Sequence, residues 1–145
     1  MKTHSHSLVI HAQPEQVWRV LADLPCYSTW NRTIRSAEGR VAPGQRLRLR
    51  LHLGGGSRPF SPTVVAVRPG EELLLAARLV HPRVLRATHL FRVEPEGDGT
   101  RFSQRWEVAG ALAGLAWPEI RRGFPAFEEM ARDLARAVEP GGAHA

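Results

Sequence analysis

Two polar side chains interrupt apolar strand faces in the second half of the chain and could carry proton chemistry. In the segment Val84–Glu94, apolar and polar residues alternate, and His89 falls on the apolar side. Gln104 takes the equivalent place in Thr100–Val108. An imidazole can donate or accept a proton near neutral pH, and an amide beside it can orient a substrate oxygen. The alternative is a neutral, hydrogen-bonded His89 that gives an apolar interior one polar anchor.

Other residues that could bind a metal or a phosphate, or act as a nucleophile, form weaker patterns. His4 and His6 share one strand face, but no carboxylate or cysteine lies nearby at ligand spacing, so we expect no metal site and no cofactor. The run Gly54–Gly56 lacks the Lys-Ser/Thr pair and the following helix of a phosphate-binding loop, and we interpret it as a hairpin turn. Cys26, the single cysteine, has no identifiable histidine base beside it.

Helical periodicity at both ends of the chain predicts the elements that flank these strands. Pro14 suits the first turn of a helix over Gln13–Leu24, which Pro25 is expected to end. Cys26–Trp30 then predicts a second short helical turn or a tight loop. The segment Leu115–Gly123 is either a separate short helix or one side of a kink, because prolines lie within it and after it.

A longer amphipathic helix is predicted over Phe124–Glu139. Its apolar residues recur at helical spacing and need a partner surface. They are Phe127, Met130, Leu134 and Val138, while Glu128, Glu129, Arg132, Asp133 and Arg136 occupy the remaining face.

Between these helices, from about Ile34 to Val108, the hydrophobic period is two. In "RLRLRLHL", Arg46–Leu53, the leucines point to one side and the arginines to the other. Similar alternation predicts strands over Thr63–Arg68, Glu71–Val80, Val84–Glu94 and Thr100–Val108, which are separated by glycine and proline turns. Consecutive strands of this kind form antiparallel sheets with one covered face.

This order of elements predicts an α+β fold. We expect a curved antiparallel sheet of about six to seven strands wrapped around a long C-terminal helix, with two short helices after the first strand. The 145 residues are expected to form a single domain, with 139–145 as a frayed tail.

Three stretches carry a resemblance to a known superfamily. They are "IHAQPEQVWRVLADLPCYSTWN", "GDGTRFSQRWEVAGALAGL" and "RRGFPAFEEMARDLARAVE". From about Leu8 to Glu139 the chain resembles the SRPBCC superfamily, and within it the bacterial polyketide cyclase/dehydrase-like proteins, which share the helix-grip fold of START domains and the major pollen allergens. The resemblance implies a cavity between the sheet and the C-terminal helix that holds lipids, sterols, polyketides or other apolar molecules.

The inward positions of each strand and helix then define an expected ligand site. It comprises Trp30, Leu49, Leu51, Leu75, Leu85, His89, Phe91, Gln104, Trp106, Phe124, Phe127 and Met130. The leading hypothesis is a binding module for a hydrophobic small molecule. The alternative is a polyketide cyclase or dehydratase that uses His89 as its catalytic acid or base. Strict alternation places Glu107 outside, although a bulge near Gly110 could turn it inward.

Charge and hydropathy point away from other classes of protein. The net charge is +6, yet Lys2 is the only lysine and the arginines are scattered, so we expect no nucleic-acid partner. An exposed row of Arg46, Arg48 and Arg50 keeps nucleic-acid binding open as a third hypothesis. The longest apolar stretch, Val108–Trp117, is too short to span a bilayer, and no signal peptide is seen. We therefore predict a cytoplasmic protein without stable membrane insertion, and a homodimer stays open.

Overall fold

The structure, a computed structural model, describes residues 1–78, 81 and 83–140. Among these residues, eight strands and four α-helices follow one another, with a short 3₁₀ helix at Leu24–Cys26. The strands are β1 (Lys2–Ile10), β2 (Ile34–Glu38), β3 (Arg48–His52), β4 (Ser57–Phe60), β5 (Thr63–Arg68), β6 (Glu72–Arg78), β7 (Arg86–Glu96) and β8 (Gly99–Ala109). The helices are α1 (Pro14–Ala22), α2 (Tyr27–Trp30), α3 (Ala113–Arg121) and α4 (Phe124–Val138).

The strands form two antiparallel sheets. The large sheet has five strands in the order β1-β8-β7-β6-β5, and the small sheet has three in the order β2-β3-β4. Backbone hydrogen bonds join the two where Leu47 N–H donates to the Pro62 carbonyl and Val64 N–H donates to the Gln45 carbonyl. Pro62 separates β4 from β5 and has no N–H to continue a ladder, which accounts for the division of the predicted single sheet.

The predicted alternation of Arg46–Leu53 is confirmed. Leu47, Leu49 and Leu51 are buried, whereas the arginines between them are exposed. Arg48 pairs with Glu38 of the neighbouring strand at 2.7 Å. Strand β4 was not predicted because its four residues lack an apolar face. The end of the predicted strand Glu71–Val80 and part of its turn lie outside the described residues, at 79, 80 and 82.

Helix α1 ends earlier than predicted. Gln13 is its N-cap, where the backbone N–H donates a hydrogen bond to the Gln16 side-chain oxygen at 3.0 Å, and Pro14 opens the first turn. The helix stops at Ala22, and Pro25 lies within the following 3₁₀ turn and not at the helix end. The phenol of Tyr27 donates to the Leu21 carbonyl and so ties the two helical segments together.

Helix α4 closes the fold, and its buried face is wider than the predicted stripe. Met130 and Leu134 are fully buried, as expected. Asp133, which we predicted on the polar face, is buried instead. Its carboxylate accepts hydrogen bonds from the Arg32 backbone N–H at 3.0 Å and from the Arg32 guanidinium at 2.8 Å, and Arg136 also donates to it. The segment after α2 therefore packs against this edge of α4 and covers the carboxylate.

The turn from β8 into α3 depends on a glycine. Gly110 has φ +110°, and a Cβ at this position would lie 2.5 Å from the Val84 carbonyl oxygen. Only glycine satisfies both conditions without strain. Of the two alternatives predicted for Leu115–Gly123, the structure has the separate short helix, α3, which contains Pro118.

Glu139, which follows α4, contacts the segment before α1. Its carboxylate accepts a hydrogen bond from the His11 backbone N–H at 2.9 Å. Residues 141–145 lie outside the described part of the chain. Within that part, no helix combines the length and the apolar character needed to cross a membrane.

Candidate functional site

A cluster of aromatic rings lies between the inner face of the large sheet and the first turns of α4. The aromatic cluster consists of Phe91 on β7, Trp106 on β8, and Phe124 and Phe127 on α4, with His89 at its centre. The His89 ring lies 4.1 Å from Phe91, 4.4 Å from Trp106 and 4.9 Å from Phe127, measured between centroids. Trp106 also contacts Phe124 at 4.6 Å. Such distances are those of favourable aromatic pairs.

The two polar residues that the sequence predicted on the inner face are hydrogen-bonded to each other. His89 Nε2 lies 2.9 Å from Gln104 Oε1, and Gln104 Nε2 donates to the Phe127 carbonyl at 2.9 Å. Because a carbonyl only accepts, the amide nitrogen of Gln104 must face Phe127 and its oxygen must face His89. His89 therefore carries its proton on Nε2, which leaves Nδ1 as the acceptor of the ring.

Burial strongly affects the charge of His89. Desolvation by the surrounding rings lowers the pKa of the imidazole from 6.5 to about 3, and the hydrogen bond to Gln104 offsets this only in part. The ring is thus neutral at physiological pH. A neutral imidazole with one donor and one acceptor is suited to fixing the orientation of a bound molecule, and it is a weak base.

Three further side chains meet beside the aromatic cluster. His4 and His6 of β1 lie on the inner face, opposite Trp106 and Gln104 in the strand register. Glu128 of α4 lies 3.5 Å from His4 Nε2 and 4.0 Å from His6 Nε2. The sequence offered no carboxylate near these histidines, but the fold supplies one from the last helix.

Not all predicted ligand-site residues share this place. Leu49, Leu51, Leu75 and Met130 belong to the main hydrophobic core, to which Phe91 also belongs. Leu85 belongs to a second, smaller core beneath α3. Trp30 packs edge-on against Tyr27 with centroids 5.0 Å apart, and its indole N–H is buried without a hydrogen-bond partner.

Part of the interior between the sheet and α4 is closely packed, whereas His89 and Phe127 are only partly buried. Trp106, Phe124, Gln104 and Met130 are all nearly inaccessible to solvent. Two surface depressions lie elsewhere among the described residues. One, of about 280 Å³, is bordered mainly by outward-facing residues of β1, β7 and β8, and the other, of about 350 Å³, lies beside the 3₁₀ turn and β2. Neither depression is bordered by a ring of the aromatic cluster.

Two other candidates raised by the sequence can now be placed by their contacts. Glu107 lies on the outer face, where it accepts a hydrogen bond from Arg105 at 2.9 Å. Cys26 is exposed, and a hydrogen bond with Asp23 raises the pKa of its thiol, which disfavours a nucleophilic thiolate. Over residues 1–78, 81 and 83–140, no three His, Cys, Asp or Glu side chains are arranged to hold a metal ion.

Sequence reasoning missed Glu128 and Trp117. Trp117 of α3 contacts Phe124 edge-on at 5.5 Å and so extends the aromatic cluster. Glu128 follows Phe124 by four residues, the spacing that places two side chains on one helix face, and this was the available signal. This spacing alone does not predict the contact, because a charged residue at the border of an apolar stripe is usually solvated.

Comparisons with known proteins agree with this architecture. The model of the family described as "Polyketide cyclase / dehydrase and lipid transport" matches residues 1–139. No curated protein matches the chain. Among solved structures, a protein from Mesorhizobium loti has a TM-score of 0.69 at 21% identity, with 96% of this chain and 100% of that chain covered.

Two further structures share the fold at lower identity. The di-domain ARO/CYC BexL from the BE-7585A biosynthetic pathway has a TM-score of 0.73 at 15% identity, and 97% of this chain corresponds to 50% of that protein. Ara h 8.0201 has a TM-score of 0.67 at 12% identity, over 94% of this chain and 97% of that one. These likenesses confirm the predicted helix-grip α+β fold. With the family model spanning nearly its whole length, the chain belongs to the polyketide cyclase/dehydrase and lipid transport family.

Proposed function

We propose that this protein binds an apolar small molecule, such as a lipid, a polyketide or an aromatic compound, between the inner face of the large sheet and α4. The observation that supports the proposal is the aromatic cluster with the His89–Gln104 pair at its centre. Small-molecule sites are mostly apolar and contain a few placed polar groups. The combination of four apolar rings and one neutral donor-acceptor pair has this character.

In this proposal α3 moves to admit the ligand, because its Trp117 lies over the edge of the aromatic cluster. Helix α3 is weakly held: Ala113 is its buried residue, and Leu115 is 80% exposed. Its Trp117 covers Phe124 at the edge of the aromatic cluster. Displacement of α3 would uncover Phe124 and would also expose the smaller core beneath the helix, which includes Leu85 and Val108.

His89 serves in this proposal as an internal polar anchor. The Gln104 side chain holds the ring in one tautomer, so Nδ1 accepts a hydrogen bond from a ligand without a change in charge. The lowered pKa of His89 supports this role, because an imidazole that stays neutral keeps the interior free of a buried charge.

The second candidate function is that of a cyclase or dehydratase with His89 as the acid or base. The family description and the fold shared with an ARO/CYC protein favour it. A pKa near 3 makes His89 a poor base at pH 7, so this candidate requires the substrate to raise that pKa on binding. The binding function has no such requirement, and we favour it.

A fluorescent probe tests the binding proposal. The neutral dye N-phenyl-1-naphthylamine becomes bright in apolar sites and can accept energy from nearby tryptophans. The Phe127→Ala substitution removes one ring of the aromatic cluster. It is expected to raise the affinity for the probe at least several-fold, because the site gains volume.

The matched control is Phe60→Ala. Phe60 is also a partly buried phenylalanine that packs on the main core, but it lies in the small sheet opposite Leu49. We expect this variant to bind the probe as the native chain does. Equal effects of both substitutions, or no probe binding at all, would contradict the proposed site. Native mass spectrometry of the purified protein would then show whether a co-purified ligand already occupies it.

A further inference from the structure

The edge of the interior next to β1 has polar groups with unused hydrogen-bonding capacity. We refer to His4, His6 and Glu128 as the His–Glu cluster. The two histidines alternate along β1, the strand at the free edge of the large sheet, and Glu128 faces them from α4. The cluster therefore spans the gap between the sheet edge and the helix.

Two imidazole nitrogens of the cluster are buried without a hydrogen-bond partner. They are His4 Nε2 and His6 Nδ1. His4 Nε2 is 3.5 Å from a Glu128 oxygen, within ion-pair range but outside hydrogen-bonding geometry. Buried polar atoms are nearly always paired in native proteins, so such atoms are candidates for contact with a ligand.

The nearby His89 differs in this respect. Its Nε2–H is bonded to Gln104, and Gln104 is bonded in turn to the Phe127 carbonyl. That chain of hydrogen bonds uses Nε2 and leaves Nδ1 as the acceptor that the proposed function assigns to a ligand. Among the described histidines of the inner face, the buried nitrogens without a hydrogen-bond partner thus belong to the His–Glu cluster.

The His–Glu cluster adjoins the aromatic cluster directly. The His4 ring stacks on Phe124 with centroids 4.2 Å apart and planes 4° apart, and it lies 5.5 Å from Trp106. An apolar molecule among these rings would therefore present one end to His4, His6 and Glu128.

The chemistry of the cluster selects what that end can be. A carboxylate accepts hydrogen bonds only, and each neutral imidazole offers one donor and one acceptor, so the group as a whole has an excess of acceptors. A hydroxyl group can donate to the carboxylate or to an imidazole nitrogen and accept in return. A ligand carboxylate would instead meet the like charge of Glu128.

We propose that the His–Glu cluster binds the hydroxyl group of the ligand, and that the ligand is therefore an apolar alcohol or phenol and not a carboxylic acid. This inference rests on the proposed binding function and specifies its ligand class. His4 and His6 orient the hydroxyl group, and the Glu128 carboxylate accepts a hydrogen bond from it.

The test compares three molecules with the same tail: 4-octylphenol, 4-octylbenzoate and octylbenzene. Each displaces N-phenyl-1-naphthylamine from the protein at pH 8, where free histidine is uncharged. We expect the phenol to displace the dye at a concentration at least ten-fold lower than the benzoate. Octylbenzene measures the contribution of the apolar tail alone.

Two neighbouring glutamates on α4 provide a matched pair of variants. Glu128→Gln removes the charge that faces the histidines and is expected to reduce the preference for phenol over benzoate at least three-fold. Glu129→Gln is the control, because Glu129 forms its ion pairs with Arg32 and Arg132 and not with the histidines of the cluster. The control is expected to keep the native preference.

The outcomes separate this inference from the proposed function. If dye and ligands bind but the phenol and the benzoate compete equally, or if Glu128→Gln leaves their ratio unchanged, the hydroxyl assignment is wrong and the apolar site stands. If neither the dye nor any of the three molecules binds, the proposed function fails and the inference fails with it.

Discussion

Acidification to pH 5 should destabilise this protein through His89. Burial lowers the pKa of the folded-state imidazole from 6.5 to about 3. Between pH 6.5 and about pH 3, His89 is protonated in the unfolded chain but stays neutral in the folded protein. The free energy of unfolding therefore falls as the pH falls through this interval. The stability that neutral His89 gives the folded protein is fully present above pH 6.5 and is lost progressively below that pH.

The magnitude at pH 5 depends on the gap between that pH and the unfolded pKa. There His89 is almost fully protonated in the unfolded chain and neutral in the folded protein. The resulting loss relative to neutral pH is about 2 kcal/mol, since each pKa unit corresponds to about 1.4 kcal/mol. The result holds for any folded-state pKa well below 5.

Urea unfolding at pH 7.5 and pH 5.0, on the native chain and on His89→Gln, measures this contribution. The other six of the seven histidines are common to both proteins, so their effects cancel in the comparison. The native chain should lose about 2 kcal/mol more than the variant over this interval.

An equal loss in the two proteins would refute the reasoning, because it would mean that His89 titrates alike in the folded and unfolded states. Direct titration of His89 by NMR gives the same answer without a substitution. The ring is expected to remain in the Nε2–H tautomer down to pH 5, in accordance with its bond to Gln104.

Three further substitutions are expected to destabilise the protein, each measured by urea unfolding at pH 7.5. Gln104→Leu leaves the buried N–H of His89 unpaired and should cost about 1–3 kcal/mol. Asp133→Asn removes a buried carboxylate that Arg32 bonds at 2.8 Å and should cost about 2 kcal/mol, a value reduced from that of a fully buried pair because the arginine is partly solvated. Gly110→Ala introduces a Cβ 2.5 Å from a carbonyl oxygen and should cost about 2 kcal/mol or more.

Matched controls accompany these variants. Gly44 also has a positive φ of +83° but has no atom within 4 Å of a Cβ, so Gly44→Ala measures the backbone cost without the clash and should cost less than Gly110→Ala. Glu119 pairs with Arg122 at the surface, where loss of the ion pair in Glu119→Gln should change stability by under about 0.5 kcal/mol. If a control variant loses as much free energy of unfolding as the variant it accompanies, the contact assigned to that variant does not have the described effect on stability.

Local periodicity was sufficient to predict most of the framework. Alternation along Arg46–Leu53 identified which side of β3 is covered, and the same period placed His89 and Gln104 on the inner face of β7 and β8. These predictions succeeded because strand geometry forces alternate side chains to opposite faces, whatever lies further away. The family resemblance then supplied the helix-grip arrangement, which the family match and solved structures confirm.

The borders of helix α4 could not be predicted in the same way. Asp133 and Glu128 both lie next to an apolar stripe, and the period of a helix does not say how wide the covered face is. Arg32 and the backbone after α2 bury Asp133, whereas His4 and His6 approach Glu128 from the opposite end of the chain. Only the packing of distant segments decides whether such a carboxylate is solvated or confined.

The sequence by itself therefore determined most of the strands and helices, though not β4, and the inward position of His89. The tertiary structure decided which groups meet: the amide of Gln104 with His89, the ring of Phe127 with His89, the ring of Phe124 with Trp106, and Glu128 with the histidines of β1. Side-chain direction is a local consequence of backbone geometry, but a hydrogen bond or an unpaired buried nitrogen depends on which atoms the whole fold brings within a few ångströms.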